Sequence, residues 1–174
     1  MKPVERSIRA SFPTLVLTAA LLGASGAVWS QAAQPSNKEA LAGVKEMRIA
    51  FDITDANPEV LLAKLNVIDV TRKQLIAEGV TPRMVLAFRG DASFFTQTDM
   101  EKIKPADREA ARKIAARLKE FRAAGGVESI EQCALPLPGR KLRNEDVMPE
   151  VKLVGNGWIS LVAYQQKGYA YIAP

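Results

Sequence analysis

The sequence predicts an α/β fold with three layers, α/β/α, around a mostly parallel sheet of about five strands. Short apolar segments rich in strand-forming residues alternate with longer segments of helical period, as in repeated strand–helix units. The strand segments are apolar at consecutive positions, which is typical of parallel strands covered by helices on both faces. Strands are predicted at 47–53, 83–88, 127–133, 151–154 and 169–172, and helices at 58–78, 105–124 and 158–166.

The first strand and the first helix are joined by a polar loop that ends at Pro58. The fixed φ angle of proline suits the first turn of a helix, and Gly79 marks the end of this helix. Val67 and Val70 lie opposite its main apolar stripe. The pattern therefore predicts a first helix that is covered on both faces, as it would be at a subunit interface.

The middle of the chain contains a second strand, a short helix and a long helix. Thr98 with Glu101 three residues later resembles a capping box, which predicts a short helix after the second strand. The helix at 105–124 has the clearest helical period, and Gly125 and Gly126 end it. Residues 140–149 are polar and are predicted to form a loop with a helical turn.

The N-terminal segment has the order of regions typical of a secretory signal peptide. Basic residues come first, an almost uncharged apolar stretch follows at 12–28, and small residues come next, so cleavage is predicted after Ser30 or Ala32. An uncleaved membrane anchor is the rival interpretation, but a run of about 17 apolar residues is at the short limit of a membrane span. Cleavage would leave a periplasmic or secreted protein that has no membrane contact.

These boundaries give the predicted domain organisation. Residues 1–32 are the signal peptide, 33–46 a linker and 47–174 one α/β domain. About 140 residues are enough for a single well-buried core.

The composition excludes several kinds of chemistry. The 174 residues include no histidine, so Ser-His and Cys-His pairs and histidine-bound metals are excluded. Cys133 is the single cysteine, so the chain has no zinc knuckle, no Cys-x-x-Cys pair and no internal disulfide. The formal net charge is +5, of which the N-terminal segment contributes +2. The charge of the remaining domain, about +3, is mild, and no basic run contains interleaved aromatic residues, so nucleic-acid binding is not expected.

Candidate site residues follow the carboxyl ends of the predicted strands. In open α/β sheets, ligands bind beyond this edge of the sheet. We therefore expect these residues, although far apart in sequence, to line one crevice. They are Asp52, Arg89, Gly90, Cys133, Gly155, Asn156 and Gly157.

Cys133 is the only side chain of the chain that is a candidate strong nucleophile. Sulfur chemistry requires a thiolate, which nearby positive charge or a helix N-terminus stabilises. Arg140, Lys141 and Arg143 follow Cys133 closely and are candidates for that charge, and Arg89 is a further candidate from the neighbouring strand. The alternative interpretation is a small buried hydrophobic residue, a role that free cysteine often has.

The turn at Gly155, Asn156 and Gly157 precedes a predicted helix. Such a turn can present backbone N–H groups to an anion, or it can simply reverse the chain. The third glycine and the acidic residue of a dinucleotide fingerprint are missing. An anion site and a simple reversal of the chain therefore both stay open as interpretations of this turn.

In the order and spacing of these features, the chain resembles the DsrE/DsrF-like family of small α/β proteins over roughly residues 47–174. The resemblance rests on Asp52, Leu65-Asn66, Gly90, Cys133 and the C-terminal segment 168–174. It implies trimers or hexamers, no metal, no organic cofactor, and transfer of sulfur as a persulfide. Cys133 matches the position of the family's sulfur-carrying cysteine.

Two hypotheses follow. The first is an exported persulfide carrier or thiol-handling protein that acts through Cys133 and meets a sulfur donor or acceptor protein. The alternative is a non-catalytic module in which Cys133 only packs. That module would bind a small anion near Gly90 and 155–157, or it would be a structural homo-oligomer.

Overall fold

The computed structural model describes residues 35–174, and its five strands form one sheet in which every pairing is parallel. The strands are β1 (Glu46–Ile53), β2 (Thr81–Phe88), β3 (Val127–Cys133), β4 (Lys152–Val154) and β5 (Ala170–Ile172). Their order across the sheet is β4-β3-β2-β1-β5. The predicted signal peptide lies outside the described residues.

Three α-helices connect the strands: α1 (Pro58–Ala77), α2 (Arg108–Ala123) and α3 (Gly157–Gln166). Ile49, Phe51 and Ile53 of β1 belong to the main core, together with buried residues of α1 and α2. Ala50, between them, packs with Leu161 of α3 on the opposite face. Because successive strand residues point to opposite faces, α1 and α2 cover one face and α3 covers the other. The predicted three-layer α/β/α fold is confirmed.

The local signals in the sequence explain most helix boundaries. Asn57 caps α1 by accepting hydrogen bonds from the backbone N–H groups of Glu59 and Val60 at 2.9 and 3.2 Å. Asn156 caps α3 in the same way through the N–H of Trp158.

Among residues 35–174, no helix is long and apolar enough to cross a membrane.

The segment between β2 and α2 differs from the prediction of a short helix started by Thr98. It contains three 3₁₀ turns, at Gly90–Thr96, Met100–Lys102 and Pro105–Asp107. Asp99, not Thr98, caps the middle turn, because its carboxylate accepts from the N–H of Glu101. The Thr98 hydroxyl instead donates to the backbone carbonyl of Asp146.

A buried carboxyl group ties α3 to the sheet. Glu131 lies on β3 beneath α3 and is almost fully buried. It accepts hydrogen bonds from the hydroxyls of Ser160 and Tyr164 on α3 and of Ser129 on β3. Since a buried carboxyl needs its partners, this cluster helps to fix the position of α3.

The Tyr164 hydroxyl makes the stability of this contact depend on pH. Partial burial and the hydrogen bond to Glu131 raise the pKa of Tyr164 from 10.0 to about 12. The folded state therefore holds this proton more tightly than the unfolded state. The stabilisation is complete below about pH 10 and is lost as the pH rises towards about 12.

Replacing Tyr164 by phenylalanine removes this donor to Glu131. The free energy of unfolding is expected to fall by about 1 kcal/mol at neutral pH. The difference between Tyr164→Phe and the unmodified protein should shrink between about pH 10 and 12. Urea unfolding at a series of pH values measures it, and a constant difference over that range would contradict this role of the hydroxyl.

Candidate functional site

The carboxyl edge of the sheet brings most of the predicted site residues together around one pocket of about 340 Å³. Arg89 and Gly90 line it from the end of β2, Cys133 from the end of β3, and Asn156 from the cap of α3. Because all strands are parallel, these chain ends meet at the same edge. Gly155 is not part of the lining.

Gly157 brings the first residue of α3 into contact with Cys133. A Cβ atom at this glycine would lie 3.1 Å from the Cβ of Cys133 and 3.6 Å from the Cβ of Arg89. Contacts near 3.1 Å are tighter than ordinary van der Waals packing, so a larger residue would push α3 away. Glycine therefore allows the positive end of the α3 dipole to approach the thiol.

Asp52 lies behind the pocket and holds Arg89 in place. The Nε and Nη2 atoms of Arg89 donate to the two carboxylate oxygens of Asp52 at 2.5 and 2.6 Å. The Tyr171 hydroxyl of β5 also donates to Asp52, at 2.6 Å. The Asp52 side chain is only 3% exposed, so the pair is largely shielded from water.

These contacts reinforce the ordinary charge states of both partners of Asp52. The hydrogen bonds to Asp52 raise the pKa of Arg89 above its ordinary value. The hydrogen bond to Asp52, followed by burial, raises the pKa of Tyr171. Arg89 is therefore a permanent cation and Tyr171 a neutral donor at physiological pH.

The side chain of Trp158 forms one wall of the pocket. The guanidinium carbon of Arg89 lies 5.6 Å from the centre of the Trp158 ring, within the range of a cation–π contact. Leu135 and Pro136, which follow β3, complete the lining. The walls of the pocket are therefore mainly apolar.

Cys133 is a free cysteine that is 5% exposed. It is the last residue of β3, and it lines the pocket although most of its surface is covered. The thiol is thus neither on the open surface nor sealed within the main core. A reagent that modifies Cys133 in the folded protein would therefore have to enter through this pocket.

The basic residues that follow Cys133 in sequence do not line its pocket. Arg140 forms an ion pair with Asp91 and lies 5.4 Å from the centre of the Phe94 ring. Arg143 pairs with Glu145 and Asp146. The cation at the pocket is Arg89, because the loop after β3 folds back towards the segment that follows β2.

Sequence reasoning had assigned no site role to Leu135, Pro136, Trp158 or Tyr171. Trp158 directly follows Gly157, and this position next to a helix cap was a usable signal for the pocket wall. Tyr171 had no comparable signal, because its contact with Asp52 depends on β5 lying beside β1.

Within residues 35–174, no group of three or more acidic or cysteine side chains could hold a metal ion.

No known family model matches the sequence. A protein of Aquifex aeolicus (strain VF5), described as uncharacterized, is 25% identical over 126 residues, or 72% of this chain and 55% of that protein. The chain thus spans about half the length of this curated relative. A solved structure of a protein of unknown function from Methanobacterium thermoautotrophicum is 15% identical, with a TM-score of 0.48 over 75% of this chain and 99% of that chain.

Neither description names a reaction, a ligand or a partner. The similarity to the DsrE/DsrF-like family therefore stays a prediction. What the described residues define is a small α/β domain with a partly shielded thiol in an apolar pocket at the carboxyl edge of its sheet.

Proposed function

We propose that this protein is an exported sulfur carrier that holds a persulfide on Cys133. The observation that carries the proposal is the position of the thiol. Cys133 lines a pocket at the carboxyl edge of the sheet and contacts the first residue of α3. A structural cysteine needs only to fill space, whereas a carrier needs a route to its sulfur and some protection from water.

Two features of the site place positive charge near Cys133. The N-terminal end of α3 supplies a partial positive charge beside Cys133. Arg89, which lines the same pocket, is a cation at physiological pH, as arginine always is. Asp52 also offsets much of this charge, so the helix terminus is the more important of the two.

Transfer of a persulfide sulfur to Cys133 needs no separate oxidant or reductant. The Cys133 thiolate attacks the outer sulfur of a persulfide donor, R–S–SH. A bond forms between the Cys133 sulfur and that outer sulfur, while the S–S bond of the donor breaks and its electron pair leaves on the thiolate RS⁻. The transferred sulfur keeps its proton, and the same reaction with an acceptor thiolate unloads the carrier.

Loading and release can be tested in sequence. The purified protein is treated with polysulfide, freed of excess reagent and then treated with cyanide, which removes a persulfide sulfur as thiocyanate. We expect a gain of one sulfur atom on Cys133, followed by release of about one thiocyanate per chain and return of the free thiol. A thiol that gains no sulfur while the protein is folded would contradict the proposal.

A surface of α1 supports the expected self-association. Val60, Val67 and Val70 lie on one side of α1 and are exposed, with Val67 64% exposed. A row of exposed apolar residues on a helix is typical of an interface. We include a homo-oligomer, a trimer or hexamer by the family resemblance, in the proposal.

Replacing Val67 by glutamate places a charge in this row. The variant is expected to dissociate at micromolar concentration, because a charge buried in an apolar interface loses its hydration. Sedimentation velocity measures the change, and Lys119→Glu, at an exposed polar position of α2, is the control for an added negative charge. A monomeric unmodified protein, or a Val67→Glu variant that keeps its oligomeric state, would exclude α1 as the interface.

The alternative function, a small-anion-binding module, has one observation in its favour. The capped start of α3 lies at the pocket, and helix N-termini bind anions. The bidentate pairing of Arg89 with Asp52 counts against it, since the cation is already neutralised. Thermal stabilisation by sulfate or phosphate that survives Cys133→Ala would favour this alternative.

A further inference from the structure

The pocket beside Cys133 is much larger than an inorganic sulfur species. Its volume is about 340 Å³, in the range of sites that bind small organic molecules. A single water molecule occupies only about 30 Å³ in the liquid, and hydrogen sulfide is of similar size. Most of the pocket would still hold water if Cys133 exchanged sulfur only with sulfide.

The pocket carries little net charge. Arg89 is the one charged residue of its lining, and both carboxylate oxygens of Asp52 accept from it. The guanidinium carbon of Arg89 also lies 5.6 Å from the centre of the Trp158 ring. An anion entering the pocket would meet an ion pair rather than a free cation, and would lose hydration without a matching gain.

The mouth of the pocket is apolar. Leu135 and Trp158 are 65% and 64% exposed, although large apolar side chains are usually buried. Pro136 is a third apolar residue of the lining. An uncharged organic group would cover these side chains and release the water that they now contact.

From these three observations we infer that Cys133 exchanges sulfur with a small organic compound whose group R is uncharged and largely apolar, either a persulfide R–S–SH as donor or a thiol R–SH as acceptor. In the transfer step, its group R occupies the space between Leu135, Pro136 and Trp158, and its sulfur points to Cys133. This inference rests on the proposed role of Cys133 as a sulfur carrier. It adds the class of the donor or acceptor.

Methanethiosulfonate reagents test the chemical class directly. They transfer R–S to a thiolate and release methanesulfinate, and R can be neutral and aromatic (benzyl), anionic (sulfonatoethyl) or cationic (trimethylammonioethyl). Rates of modification of Cys133 in the purified protein are followed by intact mass. Each rate is divided by the rate for free N-acetylcysteine amide at the same pH, which removes the intrinsic reactivity of the reagent.

We expect the benzyl reagent to be favoured over the anionic one by about tenfold after this correction, equivalent to about 1.4 kcal/mol. Trp158→Ala should remove most of this preference. Val162→Ala changes an exposed apolar residue of the same helix that does not line the Cys133 pocket, and it should keep the preference. Because Trp158 is mostly exposed, its truncation is not expected to unfold the protein.

Two other outcomes have separate meanings. Equal corrected rates, or faster modification by the anionic reagent, would overturn the apolar-substrate inference and leave the reactive thiol in place. A Cys133 that resists all three reagents until the protein is unfolded would overturn both the inference and the proposed carrier function.

Discussion

Replacing Cys133 by serine is expected to abolish sulfur loading completely. Serine has nearly the shape of cysteine but forms no persulfide, and its hydroxyl is not ionised at neutral pH. Because Cys133 is the single cysteine of the chain, no second thiol can replace it. Intact mass after polysulfide treatment should therefore show no added sulfur in Cys133→Ser.

The control for this prediction is the fold of the variant. Position 133 is only 5% exposed, so a serine hydroxyl there loses hydration and is expected to lower the unfolding free energy by about 1 kcal/mol. Cys133→Ala buries no hydroxyl, so it separates the loss of sulfur loading from the loss of stability. Sulfur loading that persists in either folded variant would show that Cys133 is not the carrier.

Replacing Arg89 by alanine is expected to cause the largest loss of stability. Asp52 would lose both guanidinium hydrogen bonds and keep only the one from Tyr171. The Asp52 side chain is 3% exposed while Arg89 covers it, and water entering from the pocket would replace only part of what the guanidinium supplies. Removing one partner of a buried ion pair costs about 3 kcal/mol, which urea unfolding at neutral pH can measure.

A double-mutant cycle identifies the cause of this loss. Asp52→Asn combined with Arg89→Ala should be much less destabilising than the sum of the two single changes, because no buried charge is left without a partner. Arg89→Lys should restore stability only in part, since lysine cannot make the two parallel hydrogen bonds. A loss below about 0.5 kcal/mol in Arg89→Ala would show that the pair contributes little, as exposed pairs usually do.

The fold could be predicted because the strands and helices have their own local signals in the sequence. Consecutive apolar residues in 47–53 and 83–88 indicated strands buried on both faces, and Pro58 and Gly79 marked the limits of the first helix. The order of the strands could not be predicted in this way. No local pattern shows that the chain crosses the whole sheet through α3 and adds β5 beside β1.

The same difference between local signals and strand order explains which contacts of the site could be predicted. Parallel strands bring their carboxyl ends to one edge, so the meeting of Arg89, Gly90 and Cys133 followed from the fold class alone. The contact of Tyr171 with Asp52 needs the strand order, which the sequence did not show. The basic residues after Cys133 were misplaced, because proximity in sequence does not show that the loop turns Arg140 towards Asp91.

The most direct test is the intact mass of the protein isolated from its native compartment, with and without reductant. The carrier function predicts one or more additional sulfur atoms that reductant removes and that peptide mapping places on Cys133. An unmodified thiol that resists alkylation until the protein is unfolded would contradict it. Cys133 would then be a packing residue, and the pocket would need another explanation.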